Sequence, residues 1–188
     1  LDLLNDSDRN PITNFTVTKC RTSGFYFYMP SENIQLQQCL IQGTLASWSG
    51  NHVATNFVME NCWKEGSYIN FPATSTITIR NSIMHYRYIN GDGSNFNSMT
   101  TYENCIIANA TVSGNSSLDH CVLISSTAAT GTTLTDCWTG MNYSDVFAEA
   151  GVTSAYVEGV VPTVQSQFVG TDNTLIGITD GTLGWNTQ

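Results

Sequence analysis

The chain has 188 residues, of which 41% are hydrophobic, 11% aromatic and only 11% charged, against about 25% charged in an ordinary globular domain, so a disordered, charge-rich chain is excluded. Six bases against fifteen acids leave a net charge of -9, which excludes the basic footprint of a nucleic-acid binder. No apolar run reaches the roughly 18 residues of a membrane-spanning helix, and membrane insertion is not expected.

Residues 1–13, LDLLNDSDRNPIT, are polar with one Pro and read as a loop or entry turn. No secretory leader is visible and the first residue is Leu1; the expectation is a native protein that continues upstream with further coils. Residues 14–139 repeat. The segments FTVTKC, IQLQQC, FVMENC, ITIRNS, TTYENC, SSLDHC and TTLTDC put Cys20, Cys39, Cys62, Ser82, Cys105, Cys121 and Cys137 in one place, at intervals of 19, 23, 20, 23, 16 and 16 residues. Three positions earlier stand Val17, Leu36, Met59, Ile79, Tyr102, Leu118 and Leu134. Five positions earlier stand Phe15, Ile34, Phe57 and Ile77, then Thr or Ser. Alternation with period two marks strands with one buried face. The repeats are too short for helical crossovers between parallel strands. Coils of about 20 residues that stack at about 4.8 Å satisfy both constraints, which makes the chain all-β, a parallel β-solenoid of about seven coils.

These repeats, of the form I-x-I-x-N-C-x-I with Asn61, Asn81 and Asn104 before the Cys or Ser, resemble right-handed parallel β-helices of the pectate-lyase-like superfold. The resemblance implies the right-handed coil, and a ladder of Asn side chains that satisfies turn backbone. Lys19, Gln38, His120 and Asp136 stand in the same place in the other coils, so the ladder is partial, and His120 is expected to bond backbone in a turn. The tail FVGTDNTLIGITDGTLGW, residues 168–185, is similar to the closing segment of secreted bacterial β-helix proteins.

All six cysteines fall in one inward column, so free buried thiols acting as small apolar groups are expected rather than disulfides. There is no CxxC, and one row of thiols offers no tetrahedral shell, so no metal and no cofactor are expected. After Cys137 the pattern changes. Residues 1–139 read as the coils, and 140–188 as the final coil and C-terminal cap of the same domain. Within the latter, 144–152 suggests a short helical turn with Ser144 as N-cap, 166–170 a last strand, and 177–185 a segment turning over the end.

Charge is uneven. All six bases lie within residues 1–87, where they balance six acids, and residues 88–188 carry nine acids and no base; this reads as a solvated acidic surface. A polyuronate lyase needs a base beside a cation site, and a glycoside hydrolase needs facing carboxylates. Glu60, Lys64 and Glu65 read as a surface ion-pair cluster. The polygalacturonase-type motifs of the superfold, and any G-x-S-x-G, are absent. A different constellation stands out. Counting from the Cys/Ser column, Phe27, Ala46, Ile69, Ile89 and Val112 lie seven residues on and should point inward. Tyr26, Leu45, Tyr68, Tyr88 and Thr111 lie six on and should point outward, with Tyr28, Trp48, His85, Tyr86 and Arg87 nearby. An exposed aromatic stripe with a cation beside it suits sugar rings. Tyr26, Tyr28, Trp48, Tyr68, Tyr88, His85 and Arg87 are therefore the candidate carbohydrate-binding residues. The expectation is a non-catalytic secreted or cell-surface bacterial module that binds glycan or another surface ligand. The alternatives are a polysaccharide lyase or glycoside hydrolase fragment, and a rigid stalk.

Overall fold

The computed structural model describes residues 2–3, 10–47, 52–66, 69–85, 99–149 and 163–178. The strands pair in parallel, each with its counterpart one coil away, in three stacks that form a β-solenoid. The first sheet stacks Ile12–Thr18, Ser31–Gln37, Ala54–Glu60, Thr76–Arg80, Met99–Glu103, Ser117–Asp119 and Thr133–Thr135. The second stacks Arg21–Thr22, Leu40–Ile41, Trp63–Glu65, Ile83–His85, Ile106–Ala108, Val122–Ile124 and Trp138–Met141. The third joins Asp2–Leu3, Phe25–Phe27, Leu45–Ser47 and Ile69–Asn70, and Thr111–Val112 pairs with Thr127–Ala128 at the same point of later coils.

The corner between the first two sheets is made by a single left-handed residue. Lys19, Gln38, Asn61, Asn81, Asn104, His120 and Asp136 all have φ between 48° and 54°. Asn tolerates that region better than most side chains, which is why it recurs there. The ladder is partial as expected, with Asn104 Nδ2 donating to Asn81 Oδ1 at 3.3 Å. His120 departs from expectation. Its ring Nδ1 bonds Asp119 Oδ1 at 2.7 Å, and it is the backbone N–H of His120 that reaches Thr135 O. A second ladder lies one strand earlier. Asn14, Asn33 and Asn56 each sit mid-strand at φ 53–55°. Asn33 donates to Asn14 at 3.1 Å and Asn56 to Asn33 at 2.8 Å.

The cysteines are free and inward, and four of the six are fully buried. Their role is more polar than the sequence suggests. Cys39, Cys62, Cys105, Cys121 and Cys137 each donate Sγ–H to the carbonyl two residues back, at 3.2–3.4 Å. Ser82 does the same to Arg80 O at 2.8 Å, and its Oγ accepts the Cys62 amide at 3.0 Å. The column therefore satisfies backbone at the corner while filling space.

The third sheet corrects the register. Phe25, Leu45 and Ile69 are paired and fully buried. They lie five, six and seven residues after their cysteines, because the connection lengthens from coil to coil. Leu45 thus points inward, not outward, and Ala46 pairs with Tyr26 and Asn70 rather than with Phe27 and Ile69. Phe27, Phe57 and Phe71 fill the wide upper coils, with ring centroids 5.6–5.9 Å apart.

Residues 143–147 and 163–178 do not cross the end of the solenoid but run back along its side. A helix, Tyr143–Val146, is capped by Asn142 rather than Ser144. Val146, Phe147, Val164, Phe168 and Ile176 pack on Leu40, Trp63, Ile83, Ile106, Val122 and Ile124, the outer face of the second sheet, to make a second core. Gly177 donates to Asn104 O at 2.8 Å, and Thr171 N to Asn104 Oδ1 at 3.0 Å. Val169 forms a single antiparallel bridge with Leu175 in place of a final strand. Residues 179–185 of the expected closing segment lie outside the described residues.

Two tests follow from the thiol column. Titration of the denatured, unreduced protein should find close to six thiols, and two or fewer would refute the free column. Cys62→Ser should unfold later than Cys62→Val, because Val leaves the buried Cys39 amide, which donates to Cys62 Sγ at 3.3 Å, without a partner at about 1–3 kcal/mol. Equal melting temperatures would reduce the column to packing alone.

Candidate functional site

The first sheet presents two continuous outward rows. One is Thr16, Gln35, Val58, Thr78, Thr101, Ser117 and Thr133, and the other is Thr18, Gln37, Glu60, Arg80, Glu103, Asp119 and Thr135. All of these are exposed or half-exposed. Spacing along each row is the strand separation, about 4.8 Å. Hydroxyls and amides dominate the first row. In the second, Arg80 sits between two glutamates and grips Glu60 in a two-point pair at 3.0 and 3.2 Å. That pair is half solvent-exposed and adds rigidity more than stability.

The outer face of the second sheet is the opposite case. Its third positions, Glu65, His85, Ala108 and Ile124, are all buried. His85 is 3% exposed and Glu65 1%. His85 Nε2 meets Tyr143 Oη at 2.9 Å, and Asn109 Nδ2 donates to the same phenol oxygen at 2.9 Å. Burial raises the Tyr143 phenol above its ordinary value, opposed by the Asn109 hydrogen bond. A carboxyl and an imidazole on neighbouring coils and a phenol from the C-terminal helix thus lie at the edge of an apolar interface.

Lys64 and Glu65 are not the surface cluster expected from sequence. Lys64 points into the solenoid, in the inward row between Ile41 and Met84, and is 0% exposed. Its stem takes the place of an aliphatic side chain, and Nζ donates to Glu65 O at 3.2 Å. Desolvation pushes this ammonium down to about 7, with Glu65 acting the other way. Glu60 belongs to the outer face with Arg80. The period-two register, which puts residue 64 inward between 63 and 65, was the signal that locates this lysine.

Of the predicted stripe, Tyr26 and Tyr28 are half-exposed on the third face, and His85 lies beneath the C-terminal segment on the second. The structure does not bring these together. Trp48, Tyr68, Tyr86, Arg87 and Tyr88 lie outside the described residues. Among the described residues, no group of three His, Cys, Asp or Glu is placed to hold a metal ion, and no helix is long and apolar enough to cross a membrane. No family model, no curated protein and no solved structure matches the chain.

The buried lysine gives a pH test. Unfolded, Lys64 titrates near 10.5; folded, near 7. Between those values the unfolded chain binds the extra proton, so this group makes stability rise with pH across the window and adds no slope below it. Lys64→Met should melt at a higher temperature than wild type at pH 7, and the gap should shrink as pH approaches 10. A gap that stays constant across the window would show that Lys64 keeps its charge in the fold.

Proposed function

We propose that this protein is a non-catalytic solenoid module that binds an extended carbohydrate along the open face of the first sheet, in a secreted or cell-surface setting. The observation that carries this reading is the pair of outward rows, seven strands long, with hydroxyl and amide groups repeating at about 4.8 Å. A polymer lying along the axis meets similar donors and acceptors at each step, so many weak hydrogen bonds add up without a deep pocket. The face is preorganised by the backbone ladder beneath it, which lowers the ordering cost of binding. The acidic row disfavours polyanions and supports neutral glycans.

A second reading rests on the Glu65, His85 and Tyr143 cluster. An acid and a base on adjacent coils support a polysaccharide lyase or glycoside hydrolase of the same superfold, provided the C-terminal segment lifts to admit substrate.

Affinity electrophoresis through gels carrying a panel of polysaccharides separates these readings. Retardation without shortening of the polymer is expected, weakened several-fold by Gln35→Ala and by Thr78→Ala, each removing about 1 kcal/mol of neutral hydrogen bonding. Loss on Tyr26→Ala alone would move the site to the third face. Shortening that disappears in Glu65→Gln would establish the enzyme. No retardation by any polysaccharide would leave a rigid stalk.

A further inference from the structure

The two outward rows of the first sheet make a strip of definite shape. Outward neighbours on one strand are about 7 Å apart, and neighbours along a row about 4.8 Å. In the late coils, Ser117–Asp119 and Thr133–Thr135, each strand offers only two outward side chains. Immediately past the second row the left-handed corner turns the chain onto the next sheet. A long ligand therefore meets repetition along the axis, over seven strands, and almost none across it. No aromatic ring stands in either row, and Val58 is the one apolar side chain in them. Sugar faces bind by stacking on flat aromatic rings, so this strip takes a ligand by its hydroxyl edge instead. The groups that meet that edge are held in place. Asn14, Asn33 and Asn56 are tied side chain to side chain along the flank of the first row, and Arg80 is tied to Glu60 in the second.

Resting on the carbohydrate reading above, we propose the class of polymer that this strip takes: a neutral pyranose chain, 1,4-linked through equatorial bonds, standing on edge along the rows. Such a chain is a straight ribbon. Each edge carries a hydroxyl at every ring, and the ribbon advances by roughly one strand spacing per ring. Its hydroxyls arrive in step with Thr78, Thr101 and Ser117 on successive coils. A chain of the same sugar linked through axial bonds coils instead, and its edge leaves a straight row after a ring or two. Charge selects within the equatorial class. Glu103 and Asp119 follow one another in the second row, so a ribbon bearing a carboxylate on each ring is repelled there.

Two ladders of glucose oligomers that differ only in linkage test this by isothermal titration calorimetry, one β-1,4-linked and one α-1,4-linked, each from two to six rings. Affinity for the β-linked ladder should rise about threefold with each added ring, the scale of one weak hydrogen bond. Affinity for the α-linked ladder should stop rising after three rings. Thr101→Val should lower affinity for the β-linked hexamer about threefold. It should keep the melting temperature, because Val suits an exposed strand position. Thr127→Val removes an exposed hydroxyl from a different sheet and should leave affinity unchanged. Equal ladders would overturn the linkage and leave a carbohydrate site on the face. A β-linked ladder that does not rise with length would overturn the axial ribbon, as would indifference to Thr101→Val. If no oligomer binds and no polysaccharide retards the protein, the carbohydrate reading itself fails, and this inference with it.

Discussion

In a parallel stack every residue sits about 4.8 Å from its counterpart above and below, so each position must tolerate a column of near-copies of itself. That constraint explains the composition. Apolar groups, thiols, hydroxyls and amides stack without penalty, whereas like charges repel. Charged residues are accordingly scarce. Where they enter the first sheet they alternate in sign, Glu60 then Arg80 then Glu103. Where sign does not alternate, at Glu103 and Asp119, the neighbouring His120 ring bonds the Asp119 carboxylate. The corner column follows the same logic. A left-handed residue is required in each coil, and an amide is the side chain that bonds its own copy.

The coil shortens along the axis, and the core changes character with it. The early intervals of 19–23 residues allow seven-residue strands and an interior wide enough for Phe27, Phe57 and Phe71. The last two intervals of 16 residues leave three-residue strands, and the second inward row passes to Thr100, Ser116 and Thr132. Such narrow coils bury little apolar surface by themselves. The C-terminal segment supplies the rest by folding back over the outer face, where Phe168 meets Trp138 edge to face at 5.5 Å. The second sheet is consequently covered on both sides, as in buried parallel sheets, and the first keeps its polar outer face.

The coil and its inward rows were legible because the Cys or Ser recurs with a fixed offset to two apolar positions, and strand periodicity turns that offset into a direction. The thiol hydrogen bonds were missed by reading the column as small apolar groups; the Ser82 hydroxyl in the same place, which donates to Arg80 O, is the signal that could have found them. The Asn14, Asn33 and Asn56 ladder was also written in the sequence, six residues before Cys20, Cys39 and Cys62. It escapes periodicity because a left-handed residue inside a strand is skipped by the pairing. The register of the third sheet was only partly legible. A constant count from the cysteine was assumed, whereas the connection grows by a residue per coil, and a slip of one residue turns Leu45 inward and Ala46 outward. The covered second face was illegible for a different reason. Strands of two or three residues carry too little alternation to tell a sheet buried on one side from a sheet buried on both.

A solenoid also turns order along the chain into position along an axis. The bases Lys19, Arg21, Lys64 and Arg80 belong to the first four coils, and the acids Asp119, Asp136 and Asp145 to the last coils and the segment that follows. A charge asymmetry that looks in the sequence like a generic acidic half is therefore a polarity of the rod. Polarity of this kind acts at two ranges. At long range it leaves the late coils repelling polyanions, which is why the binding proposed for the first face is to neutral polymers. At short range the charges are met singly, Arg80 by Glu60, Asp119 by the His120 ring and Arg21 by the Gln42 amide oxygen. Lys64 marks the limit of that rule. Its row neighbours are apolar, and the structure keeps it by burying the stem and bonding the head to a carbonyl, at the expense of its proton.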